Sequence, residues 1–454
     1  MLLFFTLLLG VVTVHAARPQ HASNFPVSAE DAAKYDCGPA CWQILQETNA
    51  GDLAIFDMPF DYDFYETAKN FSVSKPGDLL KLKPIPADNL TVPIGTAVYK
   101  IQYMSLDLDN KTTVPATAFI AVPFVRGRDP FNVIAYAHGT TGMFRGCAPS
   151  TSSFFFDYDS WTPLIHAGYA VVATDYAGLG NNQTAHKYIS SAAQANDVLY
   201  SVIAARKAFP LDLSKKWASI GHSQGGGASW KLSEHTKVQD DKAGYLGGVS
   251  IAPITYIYDA FIHGLEKLES LPEDEVQSFL IITLLPSLFF AVKAVFPDYT
   301  APFLSETMKK RIKLGEVAQL CDNALSGLVG DLGLSQLLGS THPSKDTDFK
   351  EFQKLNAPAQ GAKTSKPLLV IQGEGDTIVF ADITETAYNN SVSAGNMLQL
   401  SLYPALDHTA VVGASAPEWL AFLEGLFNGQ TIKRSAIEKK VAFDIDNASK
   451  PPDV

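Results

Sequence analysis

Residues 217–230 read WASIGHSQGGGASW. The apolar run WASI leads into Gly221-His222-Ser223-Gln224-Gly225, and a helix-like stretch with two more glycines follows. A hydroxyl set between glycines suits a tight strand-to-helix turn, because residues without side chains let strand and helix approach closely. In such a turn the serine sits under backbone strain, with its hydroxyl exposed at the carboxyl end of a sheet. The backbone N–H of Gln224, which opens the helix, then points to where an oxyanion forms. A glycine-softened turn without chemistry has the same local composition, so the rest of the chain has to decide.

Outward from this stretch the chain alternates. From residue 96 strand-like runs follow in order: VYKIQYMSL, VPATAFIAVP, NVIAYAHG, GYAVVATDY, WASIGHS, YLGGVSIA, PLLVIQGEGD and LQLSLYPA. Several are continuously apolar, as strands covered on both faces by helices must be. Helical patterns lie between them, among them SAAQANDVLYSVIAARKAF, GGASWKLSEH and SAPEWLAFLEGLF. The last opens on a serine cap and a proline. This alternation predicts an α/β fold, a mostly parallel sheet with helices on both faces.

One interval interrupts the rhythm. Between IAPIT and PLLVIQGEGD lie about a hundred residues of mainly helical texture. Inside it, residues 278–296, SFLIITLLPSLFFAVKAVF, are nearly all apolar, but Pro286 and Lys293 break the run. A buried helix or helix pair in an inserted cap is expected rather than a membrane span. Phe289 and Phe290 are its candidates for lining an acyl pocket. The expected organisation is a leader over 1–16, an N-terminal wrap over 17–95, and a core over 96–255 and 361–428. A cap occupies 256–360 and a tail 429–454.

Chain order tests the serine. On the α/β-hydrolase sheet, which a G-x-S-x-G turn of this kind marks, the nucleophile precedes an acid and the acid precedes the histidine. Beyond Ser223 stand His235, His263, His342 and His408. His235 falls on the helix after the turn, and His263 and His342 fall in the cap interval. His408, in YPALDHTAVVG, follows the last strand. Its acid should follow the strand before, where PLLVIQGEGDTIV supplies Asp376, with Glu374 and Asp382 nearby. Asp407 adjoins His408, and side chains of consecutive residues diverge. The second half of an oxyanion hole should follow the third strand, where His138-Gly139-Thr140-Thr141-Gly142 stands. The N–H of Thr140 is the natural donor there, opposite that of Gln224. This chemistry needs neither metal nor cofactor.

Bulk properties agree. The chain has 454 residues, 46% hydrophobic and 18% charged, which excludes a disordered protein. A formal charge of −12 with no long basic run argues against a nucleic-acid partner. The opening MLLFFTLLLGVVTVHA reads as a secretory signal peptide cut after Ala16. Sequons begin at Asn70, Asn89, Asn110, Asn182, Asn389 and Asn447. Cys37, Cys41, Cys147 and Cys321 are an even set suited to disulfides in an oxidising compartment, with three connectivities open. CGPAC lacks the second ligand pair of a zinc site.

These pieces together resemble the fungal secretory lipases, the group that holds the lipase A type of Candida yeasts. The resemblance is carried by KPGDLLKLKP, HGTTG with CAPS, DYAGLG, GHSQGGGASW, GEGDTIV and LDHTAVVG, which span most of the chain. It implies an α/β-hydrolase with a helical cap over an acyl tunnel, cleaving carboxylic esters such as acylglycerols. It implies Ser223 as nucleophile, Asp376 as orienter and His408 as base. It also implies a Cys147–Cys321 bridge from CAPS to the cap, leaving Cys37–Cys41 as a local pair. The chain departs from the Candida type in its oxyanion loop, where HGTTG has no acidic residue. The expected activity is a secreted serine ester hydrolase meeting an ester or acylglycerol at a lipid interface. An acyltransferase, a peptidase and an inactive binding protein are the rival readings.

Overall fold

A computed structural model describes residues 18–268 and 280–442. Ten strands form one sheet: β1 Leu79–Ile85, β2 Thr96–Leu106, β3 Thr113–Pro123, β4 Phe131–Ala137, β5 Ala170–Thr174, β6 Leu213–His222, β7 Tyr245–Ile251, β8 Leu368–Gly373, β9 Leu398–Tyr403 and β10 Ala436–Lys439. Their order is β1-β2-β3-β5-β4-β6-β7-β8-β9-β10. The pairs from β1 to β5 run antiparallel, and every pair from β5 onward is parallel. Strands β2 to β9 are the eight runs expected from the sequence. Continuous burial of AVVAT in β5 and LLVIQG in β8 fits strands sandwiched on both faces.

The two-residue period divides the core. Val133, Ala135 and Ala137 face the helices Ser191–Ala208 and Gln224–Ser233, packing with Val198, Val202 and Leu232. Ile134 and Tyr136 face the other way, toward Leu164 and the helix Ala416–Phe427 with Trp419 and Leu423. Each fully buried side chain of this size contributes about 1.5–3 kcal/mol.

Two elements were not anticipated. β1 lies within the expected N-terminal wrap and β10 within the expected tail, and both are edge strands. LLKLKPI and AIEK carry lysines, and a proline in the first, features that blunt a sheet edge. The rest of the wrap is ordered by helices, the longest being Pro39–Ile55.

The helical insertion between β7 and β8 has its own core. Phe261, Leu265, Leu285, Leu288, Ile312 and Leu325 cluster with Cys41 and Leu45 of the N-terminal helix. In the apolar run, Leu280–Leu284 forms a single 3₁₀ turn and Pro286 sits at the start of the helix Leu285–Val295. Among the described residues no helix is long and apolar enough to cross a membrane. Both disulfides implied by the resemblance are formed, Cys37–Cys41 and Cys147–Cys321. Asn70, Asn89, Asn110, Asn182 and Asn389 are exposed. Asn447 and the leader lie outside the described residues.

Candidate active site

β6 ends at His222, and Ser223 is the cap of the following helix at φ +58°, ψ −118°. That region is costly for any residue with a side chain, so the neighbours must hold it. Its N–H donates to Ile251 O at 2.9 Å, and its carbonyl accepts from Gly227 and Ile254 at 3.1 Å. The flanking glycines serve close approach. A Cβ at Gly221 would lie 2.1 Å from Gly225 O, and one at Gly225 would lie 1.9 Å from Ala137 O. No other residue fits either place.

Asp376 follows β8 and His408 follows β9, so topology alone delivers both to the carboxyl edge beside β6. His408 Nδ1 donates to Asp376 Oδ2 at 2.6 Å, which leaves Nε2 unprotonated and able to accept a proton. The carboxylate is fully engaged: Oδ1 accepts from the N–H of Ile378 and Val379 at 2.8 Å, and Oδ2 also from Gln372 Nε2 at 3.2 Å. Burial opposes its ionisation, but His408 and the two backbone donors outweigh burial and hold its pKa below the ordinary value. Ser223 and His408 line the same cavity without a direct hydrogen bond, a contact that in ligand-free enzymes commonly tightens only with substrate.

The competing residues are otherwise employed. Glu374 is exposed and pairs with Lys439 at 3.0 Å, and Asp382 pairs with His263 at 3.0 Å. Asp407 caps the N–H of Thr409 and Ala410. His235 accepts from Lys237 N–H and meets Asn196, and His342 accepts from Ser344 N–H.

The structure places Thr140 at the cavity, its hydroxyl 2.9 Å from Tyr188 OH. Gln224 is buried at the helix start, and its side chain turns away toward His186 at 3.2 Å, so only its backbone faces the serine side. One functional residue escaped sequence reasoning. His222, the variable residue inside the serine motif, bonds His408 O through Nε2 at 2.9 Å. A carbonyl can only accept, so Nε2 carries the proton and Nδ1 accepts from Tyr158 OH at 2.9 Å. Burial, and after it the neighbouring His408, pushes His222 down to about 3, so the ring stays neutral. It positions the backbone of His408. Nothing in the motif's spacing signals that role.

The shared cavity encloses about 300 Å³. Gly139, Thr140, Tyr158, Tyr188, His222, Ser223, Asp322 and His408 give it a polar side, and Phe156, Ile254, Leu284 and Ile378 an apolar one. Phe289 and Phe290 do not line it. They meet edge to face at 5.5 Å, with Phe144 5.4 Å from Phe290 and Tyr299 6.0 Å from Phe289. The helical face that carries them packs on Phe144 of the loop after β4 and on Tyr299 of the cap, and Leu284, earlier in the same apolar run, reaches the site instead.

A sheet of this order with the serine turn after β6, an acid after β8 and a histidine after β9 is the α/β-hydrolase fold. The structure is similar to that of Candida antarctica lipase A in its closed state, at 18% identity and a TM-score of 0.67, covering 87% of this chain and 93% of that one. It is also similar to the rice cell wall degrading esterase LipA from Xanthomonas oryzae, at 16% identity and a TM-score of 0.61, covering 77% of this chain and 100% of that one. At these identities the likenesses establish the fold. No protein-family model matches the chain, and no curated protein matches it.

Proposed function

We propose that this chain is a secreted serine carboxylic ester hydrolase of the lipase or esterase type, acting through an acyl-enzyme on Ser223. The observation that carries the reading is one cavity joining a serine at φ +58° to a histidine whose far nitrogen is fixed on a buried aspartate. Ser223 Oγ attacks the ester carbonyl while His408 Nε2 takes its proton. Asp376 holds the ring and stabilises its charged form. The N–H groups of Thr140 and Gln224 receive the oxyanion. Collapse expels the alcohol, protonated by His408, and leaves the acyl group on Ser223. Water then attacks that acyl group, giving its proton to His408, and the acid departs as Ser223 recovers it. The apolar wall formed by Ile254, Leu284 and Ile378 suits an acyl chain.

Secretion is supported by the two disulfides and by the exposed sequon asparagines. The likeness to a lipase and to an esterase supports the substrate class. Hydrolysis of p-nitrophenyl esters across acyl lengths by the wild type and Ser223→Ala tests the reading. The wild type is expected to be active and the variant not; equal inactivity of both on every ester would sink it. A rate jump at an oil surface with long-chain esters would mark a lipase.

A further inference from the structure

One acidic side chain lines the cavity, and the cap contributes it. It is Asp322, which shares the lining with Thr140 and Tyr188. Neither carboxylate oxygen of Asp322 has a hydrogen-bond partner among the described residues, and Oδ1 is shut away from solvent as well. Burial alone pushes this carboxyl up to about 6. Thr140 Oγ1 and Tyr188 OH, on the same cavity, bond each other at 2.9 Å.

Its position is held from several sides. Cys321, immediately before it, is bonded to Cys147 and pairs with Gly142 in an antiparallel bridge. The Asp322 N–H donates to Thr141 O at 3.2 Å. The next two N–H groups, of Asn323 and Ala324, are taken by the Asp52 carboxylate at 3.2 and 2.9 Å. Asp322 is therefore fixed against the 139–142 loop that flanks Ser223. A preorganised acceptor with no partner, at the wall of a cavity otherwise apolar on its far side, fits a ligand that brings a donor.

We propose that Asp322 is a specificity-determining residue that accepts a hydrogen bond from a substrate hydroxyl, so that esters with a free hydroxyl near the scissile bond are preferred over esters of plain alcohols. The proposal rests on the ester-hydrolase reading and adds the substrate class, polyol esters such as partial acylglycerols. A hydroxyl suits the site better than an ammonium group. A carboxyl whose ionisation burial opposes can hydrogen-bond a hydroxyl in either protonation state, whereas a cation needs the charge.

The test compares kcat/KM for glyceryl 1-monobutyrate and propyl butyrate on the full-length protein. The wild type is expected to favour the monobutyrate. Asp322→Leu, close in size but without an acceptor, is expected to lower that preference at least about tenfold, by loss on the hydroxylated ester. Asp322→Asn keeps an acceptor oxygen and should retain most of it. A wild type that cleaves both esters without preference overturns the proposal, and this readout needs no variant to fold. So does a Leu variant whose ratio matches the wild type, including one in which both rates fall together as a merely structural carboxyl would cause. Wild-type protein that cleaves neither ester sinks the ester-hydrolase reading, and the role of Asp322 with it.

Discussion

Two carboxyls serve this site and are treated in opposite ways: Asp322 lines the cavity, and Asp376 stands behind His408. Asp376, on the sheet side, accepts from His408, Gln372, Ile378 and Val379, and its pKa is held below the ordinary value. Asp322, on the cap side, accepts from nothing among the described residues, and burial pushes it up to about 6. The first is a charge the fold has already neutralised by contacts and can use to steady an imidazolium. The second is an acceptor kept in reserve. The difference lies in what the backbone offers. The loop after β8 turns two N–H groups onto Asp376, whereas the N–H groups after Asp322 are spent on Asp52.

The contrast can be broken at several points. The largest effect is expected at the nucleophile: Ser223→Ala should lower kcat on p-nitrophenyl butyrate by roughly 10⁵–10⁶-fold. Retention of more than a small fraction of the rate would show that the reacting group is elsewhere. Asp376→Asn keeps the shape but lets His408 adopt the wrong tautomer, and kcat should fall by about 10⁴. A mild loss there would mean that the sheet-side carboxyl is no more committed than Asp322.

Next comes the tie between the two walls. Replacing Cys147 and Cys321 together by serine opens a link spanning 174 residues and should cost about 4 kcal/mol, read as a lowered denaturation midpoint. The smallest effect is electrostatic. Asp322 has a raised folded pKa, so its contribution favours folding below the unfolded value near 4 and is lost as pH rises through about 6. Asp322→Asn should therefore raise stability at pH 8 by on the order of 2 kcal/mol, with no gain at pH 4. Equal gains at both pH values would show that ionisation is not the cause. Asp376 has the opposite sign: its support is present above pH about 4 and lost as acid pushes through its lowered value.

Most of the sheet-side wall was legible in the chain. Eight strands announce themselves by apolar runs, and the order of Ser223, Asp376 and His408 follows from which strand each one terminates. What stayed hidden depends on tertiary contact rather than on period or order. β1 and β10 carry lysines among few apolar residues, and β10 is only four residues long, so both read as irregular chain. His222 looks like filler within its motif until the loop after β9 brings His408 against it. Asp322 sits in a helical insertion with no motif around it. The single sequence clue was indirect: a bond from Cys147 to Cys321 places the following residue beside the HGTTG loop. Phe289 and Phe290 stand out as aromatics in an apolar run, but they pack on each other, on Phe144 and on Tyr299.

The Cys147–Cys321 bond also has a mechanical consequence. It pins one corner of the cap to the loop next to the nucleophile, and the Gly142–Cys321 bridge clamps the same corner. The cap cannot lift away from that corner as a lid comes off a jar. Any widening of the entrance has to swing about it. A reductant would cut the covalent half of the pivot and leave the backbone bridge to hold the corner alone.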